Sequence, residues 1–327
     1  MMGHNKKSCN VVLFLKEKGC DDKKIEEILR KCPKIETLER EKACENWNYL
    51  KSIGIHERKL PFIVSKCPKI LTLCLDDKLV PMVHCLSTLE SKPGEVALAI
   101  TKFPQLLLHN LEEKLCPLLA LFQTLGISEN QVGKLLLLNP RLISYSIETK
   151  FAKIFGFFAS LGLNKDGVAG KILVRNPYIV GYSVESRLKP TMEFLKSIGL
   201  KDVELQHVVV KFPQVVCRDV EKILRPNFVF LKGFGFNAEQ IAVMVAGFPP
   251  VLIKSIKNSL EPRLKFLVEV MGRGIGEVAG YPEFFRHGLK KSLEFRHKLL
   301  MKKNIVCSLS EMLDCDKKKF IVKFGVC

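Results

Sequence analysis

The sequence predicts an all-α fold, a right- or left-handed helical-repeat solenoid of about eight units of ~36 residues. Three observations carry this expectation. A proline preceded by Cys, Phe, Asn or Tyr returns at Pro33, Pro68, Pro104, Pro140, Pro177, Pro213, Pro249 and Pro282, in steps of 35, 36, 36, 37, 36, 36 and 33 residues. A second proline follows thirteen residues after the first at Pro81, Pro117, Pro190, Pro226 and Pro262, with Asn46 and Lys153 holding that slot in two other units. A glycine then closes the segment at Gly54, Gly126, Gly162, Gly199, Gly235 and Gly272. The stretches KFPQLLLHNLEEKLCP and KFPQVVCRDVEKILRP, 109 residues apart, are therefore one element met again three units later.

Each mark has a mechanical meaning. Proline fits the first turn of a helix, where its missing N–H has no partner to lose. Glycine just past the end accepts the left-handed cap. PTMEFLKSIG thus reads as a helix of about ten residues. A second helix start follows at Ser128 with Gln131, or Asn237 with Gln240, both at capping-box spacing. Segments such as QIAVMVAGF run up to the first proline, which disfavours helix in the residue before it. The remaining piece, such as YIVGYSVES, is too short for a long helix and reads as one tight turn. One such helix pair cannot bury its apolar faces alone, so neighbouring units must stack.

The composition agrees. The chain is 47% apolar, enough for a continuous core, and no run approaches the ~20 apolar residues of a membrane span. Lysine and arginine number 52 against 34 carboxylates, a net charge of +18. Such an excess favours a polyanionic partner. The twelve cysteines form no CxxC pair, which speaks against zinc. Cys74, Cys85 and Cys116 stand among apolar residues and read, with the others, as reduced buried thiols.

The punctuation K-F-P, then Pro thirteen later, then FL..xG, resembles the mitochondrial transcription termination factor (mTERF) family, most closely its plant organellar members. The resemblance runs from about Asn10 to Arg296, and SLEFRHKLL from Ser292 looks like the family's C-terminal unit. The stretch KKNIVCSLSEMLDCDKKKF is less regular. The expected organisation is a short N-terminal segment at 1–10, the repeat solenoid at 11–300 and a basic C-terminal tail at 301–327. The resemblance implies a half-ring of two-helix-plus-3₁₀ units with a positive groove. It implies binding to double-stranded organellar DNA, with transcription termination or pausing as the outcome. Some similar plant proteins act on RNA maturation instead, so RNA stays open as a partner. A chloroplast or mitochondrial address is likewise implied, although VVLFLKEKGC already matches a repeat and leaves about ten residues for a transit peptide. A monomer without cofactor is expected.

Aligning the units on the first proline exposes basic columns. Two residues before it stand Lys31, Lys66, Lys102, Leu138, Arg175 and Lys211, in a helix's last turn, where a cation complements the helix dipole or meets phosphate. Ten residues after it stand Lys78, Lys114, Lys150 and Arg187 in four consecutive units. A cation near a helix start is mildly unfavourable, so this column is the better candidate for phosphate. Lys153, Lys189, Arg225 and Arg263 would broaden it. After Phe285 the chain carries eleven cations against four carboxylates, and Lys290, Lys291, Arg296 and Lys298 are candidates for the firmest grip. Tyr145, Tyr178 and Tyr182 are either stacking aromatics for everted bases or plain core and turn residues.

No catalytic constellation emerges. The seven histidines are dispersed, without HExxH, and GxSxG is absent. GRGIGEVAG at Gly272–Gly280 lacks the preceding strand and the Lys-Ser/Thr ending of a phosphate loop. Asp21, Asp22, Asp76 and Asp77 stand where carboxylates belong, at helix starts. A non-enzymatic binding protein is expected.

Overall fold

Proline sets the boundary of every repeat. In the computed structural model, which describes residues 5–89 and 92–325, the residue before each first proline leaves the helical region. Cys32, Cys67, Phe103, Asn139, Asn176, Phe212, Phe248 and Tyr281 have φ between −128° and −149° with ψ between 51° and 84°. This is the extended conformation that a following pyrrolidine ring forces. The glycine caps also hold: Gly54, Gly126, Gly162, Gly199, Gly235 and Gly272 all have positive φ. Of the two capping-box candidates, Asn237 and Gln240 bond reciprocally at 2.8 and 3.0 Å. Ser128 instead donates its hydroxyl to the Gln131 side chain and caps no backbone N–H.

The piece expected as one tight turn is two elements. A 3₁₀ turn follows the first proline, as at Pro68–Thr72, Pro104–Leu108 and Pro140–Ser144. A π-helical turn then leads into the next helix, at Leu75–Leu79, Leu111–Leu115, Ile147–Phe151, Val184–Leu188, Val220–Leu224 and Ile256–Leu260. The amide after each turn reaches back five residues, as from Val80 to Leu75 and from Lys189 to Val184. The second proline stands, as expected, in the first turn of the α-helix that follows, as Pro81 does in Val80–Ser87 and Pro190 in Lys189–Ser197, with the π-turn directly before it. A proline inside a regular α-turn would strike the carbonyl four residues back, and the wider turn moves that carbonyl aside. The unit with Lys153 in place of proline keeps the π-turn, so capping and burial also hold it. There the Ser146 hydroxyl accepts from the Thr149 amide at 3.2 Å, and the Phe151 ring is fully buried.

The core is built from slots that recur with the proline. The second and third residues after it, such as Ile70 and Leu71, Leu142 and Ile143, or Phe284 and Phe285, are buried. The eleventh is Leu79, Leu115, Phe151, Leu188, Leu224, Leu260 or Leu293, each 0% exposed. Burying one such side chain contributes about 1.5–3 kcal/mol, and the slot fixes which way the π-turn faces.

The chain divides into two compact units, residues 1–158 with 164–181, and residues 159–163 with 182–327. In the first, neighbouring repeats meet through close backbone packing. A Cβ on Gly133 would lie 2.0 Å from the Leu89 carbonyl oxygen, and one on Gly170 would lie 2.3 Å from that of Leu125. In the second unit, the equivalent Gln206 donates its side-chain amide to Leu161 O at 2.9 Å.

A second slot differs between the units in the same sense. Fourteen residues after the first proline the first unit has buried Met82, Leu118 and Ile154. The second has Thr191, Asn227, Arg263 and Arg296, each donating to a backbone carbonyl of the following segment. Thr191 bonds Arg218 O at 3.2 Å, Asn227 bonds Lys254 O at 2.8 Å, and Arg263 bonds His287 O at 2.8 Å. Arg296 donates to Met312 O and Cys315 O at 2.5 and 2.6 Å and lies 4.9 Å from the Phe320 ring centroid.

That last contact changes the picture of residues 301–327. The stretch that reads as a basic tail folds into helices Leu309–Leu313 and Lys317–Phe324, with 326–327 outside the described residues. Ser308 and Glu311 form a full capping box, Phe320 is buried, and Tyr281 donates to Asp314 at 2.6 Å. At the other end, residues 1–4 of the N-terminal segment lie outside the described residues, and Asn5–Glu17 is helical.

Two outcomes follow from this packing. Arg296→Met should lower the unfolding free energy by about 2–4 kcal/mol, because one buried and one part-buried carbonyl lose their donor; urea titration reads it directly. Burial also pulls the His109 and His287 imidazoles below their ordinary range. Each is therefore neutral in the fold and must be charged against its surroundings as pH falls below about 6.5. Stability should decline from about pH 7 to about pH 5, and His287→Gln should flatten part of that decline in thermal melts.

Candidate nucleic-acid interface

The cations of the first unit gather on one edge. Its 3₁₀ turns at Pro33–Ile35, Pro68–Thr72, Pro104–Leu108, Pro140–Ser144 and Pro177–Gly181 touch in succession, and the π-turns Leu75–Leu79 and Leu111–Leu115 pack on the 3₁₀ turn of the next repeat. Lys78, Lys114 and Lys150 occupy the fourth position of their π-turns. The residue after each is fully buried, so the lysine is held facing outward. Lys78 and Lys114 are exposed, and Lys150 is partly so. Lys78, Lys114 and the exposed Lys153 enter no ion pair among the described residues.

The structure adds a strip that the column search missed. The residue directly after the first proline is Lys34, Lys69, Gln105, Arg141 and Tyr178 in consecutive repeats, and the three cations and Tyr178 are exposed. They ride on the same stacked 3₁₀ turns. The signal lay in the same alignment, one residue past the proline. In the column before the proline, Lys31 and Lys66 have a structural role. Lys31 donates to Ser65 O at 2.8 Å and Lys66 to Lys102 O at 3.2 Å, each tying its helix end to the last turn of the next repeat's helix.

In the second unit Arg187, Lys189 and Arg225 are partnered. Arg187 pairs with Asp219 at 2.7 Å, Lys189 with Glu185 at 2.8 Å, and Arg225 clamps Glu221 through two bonds of 2.8 and 2.9 Å. Arg225 also lies 5.4 Å from the Phe194 ring centroid. The Lys222 amide and then Arg187 hold the Asp219 carboxyl below the usual carboxylate range, and Arg225 does the same for Glu221. Arg263 and Arg296 stand apart from these: their guanidinium groups are the inter-repeat struts described above, and Arg296 is only 6% exposed. Lys290, Lys291 and Lys298 are exposed and enter no ion pair among the described residues.

The tyrosines separate by environment. Tyr178 is 47% exposed with its hydroxyl on Leu138 O at 3.1 Å. Tyr145 and Tyr182 are half-buried, and the Tyr145 hydroxyl crowds Gly181, where a Cβ would lie 2.8 Å away. The thiols only partly follow expectation. Cys20, Cys32, Cys67 and Cys217 are buried, and burial pushes the Cys67 thiol up to about 11. Cys74 and Cys116 are exposed and Cys85 is intermediate. Cys74 and Cys116 flank the π-turns on their solvent side, and an apolar neighbourhood in sequence did not mean burial.

Among the described residues no group of three His, Cys, Asp or Glu side chains is placed to hold a metal. No helix among them is long and apolar enough to cross a membrane. In Gly272–Gly280, Arg273 bonds Glu277 and Cys307 O, so this glycine-rich stretch is a packing junction.

The comparisons with known proteins agree with this architecture. Transcription termination factor MTERF6, chloroplastic/mitochondrial, of Arabidopsis thaliana is 64% identical over 61 residues. That segment is 19% of this chain and 18% of the relative, so the match spans under one fifth of that protein. The mTERF family pattern matches residues 6–321. Phased prolines, glycine-capped helix pairs and a family match over nearly the whole length give one answer: the chain belongs to the mTERF family.

Proposed function

We propose that this protein is a non-enzymatic regulator of organellar gene expression that binds double-stranded DNA and terminates or pauses transcription. The observation that carries the proposal is the edge of the first unit, where Lys34, Lys69 and Arg141 line the stacked 3₁₀ turns, Lys78, Lys114 and Lys150 line the π-turns, and Lys78 and Lys114 enter no ion pair among the described residues. Cations at repeat spacing meet a phosphate backbone and release its counterions. Such contacts position a protein but carry no base code, so target choice rests on other groups. Family membership and the name of the Arabidopsis relative support the role in transcription termination and a chloroplast or mitochondrial address. The protein is proposed to act as a monomer, with the repeats at 11–300 and the basic C-terminal segment at 301–327 serving one binding function.

Direct competition tests the polyanion. Labelled duplex DNA bound to the full chain is challenged with unlabelled duplex, structured RNA and single-stranded RNA at about 100 mM salt, near the ~10 Å screening length. Duplex DNA should compete best, because A-form RNA presents a deep, narrow major groove and a different phosphate spacing. Stronger competition by structured RNA would move the assignment to RNA maturation. Affinity that does not change with salt would remove the cationic edge from the account.

A further inference from the structure

The slot that carries Lys78, Lys114 and Lys150 in the first unit carries Arg187 in the second, and there its surroundings change. The N-cap of each π-turn lies six residues after the first proline: Cys74, Asn110, Ser146, Ser183, Asp219 and Ser255. Asp219 alone in this series bears a charge. Its two oxygens divide the work. One accepts from the Lys222 amide at 2.9 Å, which is the cap itself. The other meets Arg187 of the preceding repeat at 2.7 Å. Capping needs only an acceptor, and Asn or Ser serves as well as Asp. The negative charge is therefore surplus to the cap, and what it neutralises is the arginine of the cationic slot.

The two residues face a cavity of about 500 Å³ between the turns Val184–Leu188 and Val220–Leu224. Arg225, clamped by Glu221, opens onto the same space, and Glu193 lines it as well. The walls thus hold one carboxylate more than they hold cations. A phosphate entering here must displace a carboxylate from each guanidinium it takes. Carboxylate and phosphate compete for the same planar fork of donors.

We propose that Asp219 is a specificity-determining residue that occupies, at Arg187, the position of a backbone phosphate, so that this cavity accepts a phosphodiester only by exchange. The inference rests on the reading of the protein as a nucleic-acid binder. It adds that the second unit is held in check by its own carboxylate. The check raises the cost of non-specific binding, because any backbone phosphate must first break an existing ion pair.

Asp219→Asn isolates the charge, since asparagine keeps the cap. Binding of the full chain to a duplex of unrelated sequence is measured by fluorescence anisotropy across about 50–200 mM salt, beside the parent protein. The expected result is about 3- to 10-fold tighter binding with a log–log salt slope steeper by about 0.9, one further phosphate neutralised. Glu239→Gln, at an exposed carboxylate of the second unit that does not line the cavity, should change affinity less than 2-fold or so, as for a lone surface charge. Arg187→Gln in the Asp219→Asn background should return the slope to the parental value. Unchanged or weaker binding by Asp219→Asn, or an equal gain from Glu239→Gln, overturns the proposal. Thermal melts of each variant confirm folding, and Asp219→Ser supplies a second cap-competent variant if the asparagine form melts early. Failure of this test leaves the proposed function standing if charge reversal in the first unit still weakens binding.

Discussion

Reversing Lys78, Lys114 and Lys150 together to glutamate is expected to weaken duplex binding by at least about 100-fold at ~100 mM salt. Three phosphate contacts account for about 2.7 of the log–log salt slope, and at this salt each contributes nearly a decade of affinity through counterion release. The added repulsion of three carboxylates pushes in the same direction. The fold should be untouched, because these side chains point outward from π-turns whose register is set by the fully buried Leu79, Leu115 and Phe151. Circular dichroism and the melting temperature provide that check. The decisive readout is the slope: a loss near 2.7 identifies phosphate contacts, whereas weakened binding with an unaltered slope points to a disturbed structure. If both affinity and slope survive the reversal, the edge binds something other than a polyanion, and a protein partner with an acidic surface becomes the better account.

Gly170→Ala is expected to cost about 3 kcal/mol or more of stability, at the upper end of what overpacking does. The new methyl would lie 2.3 Å from the Leu125 carbonyl oxygen and 3.0 Å from the Ile127 side chain. The first obstacle is backbone and cannot rotate away, so the repeats must separate. Gly156→Ala provides the internal control. Nothing lies within 4 Å of a Cβ there, and the residue is exposed in the helix Ala152–Ser160. Replacing a helical glycine without steric conflict should stabilise by about 0.5–1 kcal/mol. Opposite signs for two glycine-to-alanine changes in chemical denaturation would establish that inter-repeat approach, rather than helix propensity, decides the first. Similar, small effects at both positions would mean that the repeats yield easily to one another.

Much of the architecture was legible because its causes are local. A proline dictates the conformation of the residue before it, so helix ends at Cys67, Phe103 or Phe212 could be read from spacing alone. Glycine at Gly126 or Gly235 takes a left-handed cap for reasons contained in one residue. The π-turns were not legible, because a widened turn depends on where a carbonyl is pushed and on which side chain is buried beneath it. The helices at Leu309–Leu313 and Lys317–Phe324 were not legible for a similar reason. The lysines of this segment set its net charge, whereas its packing rests on residues from earlier in the chain: Arg296 bonds carbonyls of Met312 and Cys315, and Tyr281 bonds Asp314.

The candidate interface divides along the same line. Sequence by itself determined the repeat, its period, the helix boundaries and the excess of positive charge, since each follows from the chemistry of single residues and their spacing. Only the tertiary structure decided which cations are available. Lys78 and Lys114 stand clear, Arg187 and Arg225 are held by carboxylates, and Arg263 and Arg296 bind backbone carbonyls of the segment that follows. A charge acts through its nearest neighbours: Glu221 lies one helical turn from Arg225, but Asp219, which holds Arg187, lies in the next repeat, 32 residues away, beyond the reach of local pattern.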